Sequence, residues 1–235
     1  MRAFVAGATG YTGRHLVRVL RERGHEVAAH VRPDSPSLGQ WRERFGALGA
    51  SVDNSAWEAE AMSAALRTFR PTHVFALLGT TRRRMRADGG QRTSYDVVDY
   101  GFTSLLLRAT VAVVPTARFI YLSSLGASER GNAYLRARGR AERELRESGL
   151  SWIAARPGVI TGQDREESRP AERLAGVAID AFLRAFAALG VREPTRKYAS
   201  LTGEALARAL ASLAEDAPDG IYDAGALRER AGAGE

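Results

Sequence analysis

The stretch MRAFVAGATGYTGRHLV, residues 1–17, decides how the rest of the chain is read. An apolar run at residues 3–6 leads directly into GATGYTG, residues 7–13, and then into an amphipathic pattern. A strand, a glycine-rich turn and a helix in that order form a dinucleotide-binding turn. Gly7 serves the tight turn, Gly10 lets backbone approach a pyrophosphate, and Gly13 lets helix pack on strand, with the phosphates at the helix N-terminus. The bland alternative is an ordinary strand-to-helix loop.

Outward from the turn, strand and helix patterns alternate. Residues 26–31 read as a second strand, 38–48 as a helix, and a short third strand ends at Asp53. Residues 57–70 are helical, 72–79 a buried strand, 94–114 a helix stopped by Pro115, and 117–124 a fifth strand. A helix over 132–148 and a strand over 151–156 follow, the strand closed by Pro157-Gly158. Beyond lie a loop, a helix over 171–189, a short segment around Tyr198, a helix over 203–215 and a last strand near Ile221. This alternation predicts an α/β fold, a doubly wound parallel sheet of Rossmann-like type with a small C-terminal substrate-side region. No linker or repeat divides the 235 residues, so the expectation is one domain over 1–235, with 158–235 as the substrate-side part and 231–235 as a frayed tail.

Composition narrows the function. With no cysteine, disulfides, thiolate catalysis and cysteine-held metal are excluded. His15, His25, His30 and His73 have no metal-ligand spacing, so no metal is expected. The formal charge of +7 permits nucleic acid, but the charge is scattered arginine, with Lys197 the single lysine, and it is not interleaved with aromatics. No nucleic-acid partner is expected. The longest apolar helical run, 105–114, is too short for a bilayer and carries Arg108, and no signal segment precedes the first strand. A soluble, cytoplasmic protein without a membrane partner is expected.

In such sheets the ligand lies at the C-terminal ends of the strands. Arg32 follows the second strand where an NAD-preferring protein places an acid, and a guanidinium there suits a 2′-phosphate. NADP(H) is therefore preferred and NAD(H) remains possible; the competing reading is a solvated arginine. Asp53 suits an adenine amino group or an ordinary Asp-Asn turn. Gly79 and Thr80 end the fourth strand, where a glycine admits backbone near the cofactor's ribose. The Arg82-Arg83-Arg84-Met85-Arg86 run holds an anionic substrate or forms a solvated loop. Ser124 closes the fifth strand, and ten residues later Tyr134 stands one helical turn before Arg138. A tyrosine beside a fixed cation has a stabilised phenolate and exchanges a proton at a carbonyl or hydroxyl carbon, while Ser124 holds the substrate oxygen.

The strings GATGYTGRHLV, FIYLSSLGAS, YLRARGRAERELRESGL and ARPGVITG together resemble the atypical, or extended, short-chain dehydrogenase/reductase superfamily. LGTTR, SSLGAS, YLRARGRAE and RPGVITGQDREESRPAE are most similar to its Tat-interacting oxidoreductase-like branch, including the DREESRP element at 164–170. The resemblance implies that Gly7, Thr9, Gly10, Tyr11, Thr12 and Gly13 form the phosphate turn and that Arg32 meets the 2′-phosphate. It also implies that Gly79 and Thr80 face the ribose, and that Pro157, Gly158 and Val159 line the nicotinamide. Ser124 and Tyr134 match the catalytic serine and tyrosine, with Tyr134 and Arg138 also at the cofactor. Arg138 departs from the lysine of Tyr-x-x-x-Lys, and Asp99 stands where many members have an asparagine that feeds a proton-relay water. Arginine keeps the charge but cannot lose its proton. Two readings follow: an oxidoreductase acting on the carbonyl or alcohol of a small substrate, as monomer or homodimer, or a catalytically weak NADP(H)-responsive regulator acting through a protein partner. The short region after Pro157 argues against a large nucleotide-sugar substrate.

Overall fold

The opening strand, β1 (Arg2–Ala6), sends its side chains alternately into two separate cores. Ala3 and Val5 join one, Phe4 and Ala6 the other, as the two-residue period of a strand covered on both faces requires. A computed structural model describes residues 1–80, 85–86, 94–161 and 200–232 of the chain. In it β1 pairs in parallel with β2 (Glu26–His30) on one side and β4 (His73–Ala76) on the other. With β3 (Ser51–Asp53), β5 (Arg118–Leu122), β6 (Trp152–Arg156) and β9 (Gly220–Asp223), the sheet has seven parallel strands in the order β3-β2-β1-β4-β5-β6-β9. The order in which successive strands are added reverses between β1 and β4, so their C-terminal ends flank the crevice where such sheets bind ligands.

The helices follow from apolar periodicity. α1 (Tyr11–Glu22) buries Leu16, Val17 and Leu20 against one face of the sheet, beside Leu206, Leu210 and Leu213 of α6 (Gly203–Asp216). The opposite face is covered by α3 (Ala59–Phe69), α4 (Thr103–Val113) and α5 (Ala133–Glu147), through Met62, Leu66, Leu106, Leu107 and Leu145. Each such leucine removed from water contributes about 2 kcal/mol. α2 (Leu38–Ala47) buries only Phe45. β7 (Ile160–Thr161) and β8 (Leu201–Thr202) form a separate two-stranded parallel pair.

The expected doubly wound architecture is present, with local differences. The single helix expected over 94–114 is two: a π-helical stretch, Tyr95–Phe102, capped by the Ser94 side chain, precedes α4. The wider π turn carries Asp99 wholly inside the protein, where a regular 3.6-residue turn would present a different residue. Residues 231 and 232, expected to belong to a tail, are helical instead, because α7 (Ala224–Gly232) continues through a buried Ala231. The helix expected over 171–189, the segment around Tyr198, the 164–170 element and Arg82 to Arg84 lie outside the described residues.

Candidate functional site

Gly7 adopts φ +83°, and a Cβ there would lie 2.4 Å from the Leu77 carbonyl oxygen at the end of β4. Only glycine suits both the dihedral and the approach. A Cβ on Gly13 would stand 2.1 Å from the Gly7 carbonyl oxygen, so α1 meets the turn without any side chain between them. The Gly10 N–H donates to that same carbonyl at 3.0 Å. Gly10 is also the N-cap of α1, where no side chain caps the first turn and no acidic residue stands in it. The first N–H groups and the positive end of the helix are thus presented to an anion. This cradle fits a pyrophosphate. Tyr11 lies across it: its ring packs on Gly203 and its hydroxyl donates to the Thr161 carbonyl at 3.2 Å. Thr12 is buried and Thr9 half-buried.

At the end of β2 the Arg32 side chain is 53% exposed, its Nη1 3.7 Å from an Asp34 carboxylate oxygen. Asp53 closes β3 with both carboxylate oxygens engaged by Ser55, whose N–H donates at 3.1 Å and whose hydroxyl donates at 3.0 Å. That is the turn chemistry of an Asx motif, with lone pairs to spare for a further donor. Behind it His30 is buried, its Nε2 bonded to the Ser55 carbonyl at 2.9 Å. Burial lowers its pKa, keeping the imidazole neutral.

The end of β4 meets the π-helical stretch and α5 in a buried charge pair. Arg138 Nη2 donates to Asp99 Oδ1 at 2.6 Å, the two side chains being 7% and 0% exposed. The other carboxylate oxygen, Asp99 Oδ2, accepts the Thr80 N–H at 2.9 Å. Arg138 Nη1 donates to the Leu122 carbonyl at 2.7 Å and to the Tyr121 hydroxyl at 3.4 Å. Gly79 has a local reason to be glycine, since a Cβ there would stand 2.6 Å from Arg138 Nη2 and 3.4 Å from Asp99 Oδ1. Burial pushes the Asp99 carboxyl up, opposed by the guanidinium and the Thr80 N–H. Burial also pushes the Tyr121 phenol up to about 12, so that hydroxyl stays protonated. Burial disfavours the Arg138 charge, but the Asp99 carboxylate beside it outweighs that, aided by the hydrogen bond to the Tyr121 hydroxyl, and the guanidinium is held charged.

Tyr134 lies against this pair by its ring. The Arg138 guanidinium carbon is 5.2 Å from the Tyr134 centroid, and the Tyr95 ring, also 5.2 Å away, packs on it at an interplanar angle of 60°. The Tyr134 hydroxyl has no hydrogen-bond partner among the described residues. Arg138 Nε and Thr80 Oγ1 are buried polar atoms without a partner there as well. Two orphaned groups beside Gly79 fit the hydroxyls of a cofactor ribose.

Among the described residues Ser124 donates only a long contact, 3.4 Å, to the Leu125 carbonyl. Pairing between β5 and β6 continues past both strand ends through Ser123 N–H to Ala155 (2.8 Å) and Leu125 N–H to Pro157 (3.0 Å). Ser124 and Pro157 are thereby brought side by side, with Gly158 and Val159 following. Below them is a cluster that sequence reasoning missed: Glu142 Oε1 accepts from the Ser123 hydroxyl at 2.5 Å and from Arg156 Nε at 2.8 Å, and Glu142 Oε2 accepts from Arg156 Nη2 at 2.5 Å. The signal was available, because Glu142 follows Tyr134 and Arg138 at the same four-residue interval.

Residues 7–178 match the family profile described as NAD(P)H-binding. The chain is 34% identical over 170 residues to the mitochondrial protein fmp52 of Aspergillus clavatus, covering 71% of this chain and 69% of that protein. It is 31% identical over 177 residues to the HTATIP2 protein of Rattus norvegicus, covering 73% and 67%. Among solved structures it is similar in fold to the UDP-glucose 4-epimerase of Thermus thermophilus in complex with NAD, with a TM-score of 0.66 and 21% identity over 98% of this chain and 81% of that one. With the three-glycine turn and the strand order already described, these matches show that the chain belongs to the NAD(P)H-binding family, in the atypical short-chain dehydrogenase/reductase branch of the Rossmann-fold proteins.

Proposed function

We propose that the protein is an NADP(H)-dependent oxidoreductase that reduces a carbonyl or oxidises an alcohol on a small substrate. The observation that carries this reading is the Tyr134 hydroxyl, unpartnered among the described residues, on a ring fixed by a charged and buried guanidinium. In this reading Gly7, Thr9, Gly10, Tyr11, Thr12 and Gly13 hold the pyrophosphate, Arg32 the 2′-phosphate and Asp53 the adenine. Gly79 and Thr80 face the ribose, and Pro157, Gly158 and Val159 line the nicotinamide. The bound cofactor supplies or accepts the hydride. Ser124 holds the substrate oxygen, and Tyr134 gives or takes the proton there. Arg138 cannot relay that proton, since a guanidinium does not deprotonate; it holds the Tyr134 ring and, through Asp99, the Gly79-Thr80 backbone.

The site and the region from 158 onward belong to one unit in this reading, because Leu206 and Leu210 share a core with the helix of the phosphate turn. The protein acts as a monomer or homodimer on a small molecule, without nucleic acid. Among the described residues no helix is long and apolar enough to cross a membrane. A cytoplasmic location goes with this reading, and since the fungal relatives are named mitochondrial, cell fractionation decides between the two compartments.

Calorimetric titration with NADPH and then NADH tests the cofactor half. NADPH binding about tenfold tighter, about 1.4 kcal/mol, supports the Arg32 assignment; equal affinities remove it; no binding of either removes the oxidoreductase. A second reading, a cofactor-responsive regulator acting through a protein partner, is favoured by one observation: both Nη atoms of Arg138 are committed to Asp99, Leu122 and Tyr121. Tight NADPH binding with no NADPH consumption across a broad panel of aldehydes and ketones, in both the wild type and the Asp99→Asn/Arg138→Lys variant, would favour it.

A further inference from the structure

α5 presents Tyr134, Arg138 and Glu142 one turn apart along the side facing the sheet ends. The first carries the proposed proton chemistry, and the second reaches the ends of β4 and β5. The third is 1% exposed and belongs to neither task. Its carboxylate accepts three hydrogen bonds, one from Ser123 and two from the forked guanidinium of Arg156. Ser123 directly precedes Ser124, and Arg156 directly precedes Pro157. One carboxylate therefore fastens to α5 the residues next to the substrate-holding serine and next to the nicotinamide-lining loop.

Burying a carboxylate against a guanidinium that is only partly withdrawn from water, 2% and 27% exposed here, is costly, and apolar side chains of the same volume are often as stabilising or more so. Stability alone does not account for the pair, whereas directional bonds hold three elements at fixed relative positions. We propose that Glu142 is a positioning residue that sets Ser124 and the Pro157-Gly158-Val159 wall relative to Tyr134, and thereby shapes the nicotinamide end of the cofactor site; the inference rests on the cofactor reading above. The adenosine end is spared. Arg32 and the β2 end lie three strands from β5, about 14 Å across the sheet.

The experiment compares the better bound of NADPH and NADH with its nicotinamide-free counterpart, 2′-phospho-ADP-ribose or ADP-ribose, by calorimetry. It uses the wild type, Glu142→Gln, and the double variant Glu142→Met/Arg156→Met, with a melting temperature for each. The expected result is affinity for the intact cofactor lowered about tenfold in both variants, with the nicotinamide-free ligand bound as by wild type. The melting temperature falls in Glu142→Gln, which leaves an unpaired guanidinium, and returns in the double variant while the cofactor deficit persists. A purely structural role predicts instead that both ligands weaken together, or that restoring the melting temperature restores cofactor affinity. Either result overturns the proposal, as does unchanged binding of both ligands. Should Glu142→Gln not fold, the double variant alone makes the comparison. A wild type that binds neither ligand brings down the cofactor reading and this inference with it, whereas a wild type that binds both tests Glu142 alone.

Discussion

The two halves of the sheet are built on different physics. In the half containing β1, β2 and β3, the phosphate turn is backbone, three glycines and an uncapped helix N-terminus, and the charged side chains at the strand ends, Arg32 and Asp53, lie at the rim rather than in the core. In the half containing β4, β5 and β6, the site is held by ion pairs on buried carboxylates, Asp99 with the buried Arg138 and Glu142 with the half-buried Arg156. A diphosphate is the same group in every dinucleotide, and main-chain N–H groups at a helix terminus suffice to bind it. A reacting carbon needs side chains held at definite places, and directional ionic hydrogen bonds provide that.

If the turn half depends on backbone, a single methylene there should do the most damage. Gly13→Ala places a Cβ 2.1 Å from the Gly7 carbonyl oxygen, and the expected loss is about 3 kcal/mol with cofactor binding abolished, read by thermal melting and calorimetry. Melting as in wild type would show that α1 can move off the strand. In the other half, Asp99→Asn leaves a buried guanidinium short of its counter-charge and should cost about 3 kcal/mol in chemical denaturation. Asp99→Asn combined with Arg138→Lys should cost less than the sum of the two single changes, because the pair acts as a unit. Additive effects would mean that the charges are solvated separately.

Smaller effects sharpen the contrast. Arg32→Ala should leave stability within about 0.5 kcal/mol, since the side chain is exposed, while erasing about 1.4 kcal/mol of preference for NADPH over NADH. An unchanged preference would transfer 2′-phosphate recognition to another residue. The smallest effect concerns pH. His73, at the start of β4, bonds through Nε2 to the Ala214 carbonyl, and burial lowers its pKa from 6.5 to about 4. The unfolded chain takes up that proton first as pH falls below 6.5, so stability is full above 6.5 and declines toward pH 4. With the partial exposure of the ring allowed for, His73 contributes about 1 kcal/mol to that decline. His73→Gln should flatten the profile of melting temperature against pH over this interval by that amount, and an unaltered slope would assign the decline to other groups.

Much of the fold was legible in residue order. GATGYTG after an apolar strand marks the turn, the alternating patterns mark a parallel sheet, and Pro115 and Pro157 mark two ends correctly. The π-helical stretch was not legible, because its residues satisfy a regular helical period, and the wider turn goes with a tertiary contact, Asp99 buried against Arg138. Gly79 shows the same limit in the site. A strand-end glycine reads naturally as room for a ribose, yet the atom 2.6 Å from its would-be Cβ belongs to Arg138, 59 residues away in the chain.

What could be read from the chain were features whose cause is local. A glycine's dihedral freedom, an apolar period and a helix start depend on a few neighbouring residues, and so the turn, the strands and the candidates Ser124, Tyr134 and Arg138 stood out. What each charged side chain does depends on which partner meets it and on how little water remains there. Among thirty-four basic and twenty-seven acidic residues, nothing in the order of the chain singles out Asp99 for Arg138 or Glu142 for Arg156. Those pairings arise only when β4, β5, β6 and α5 close on one another, because an ion pair becomes strong and specific where the dielectric falls.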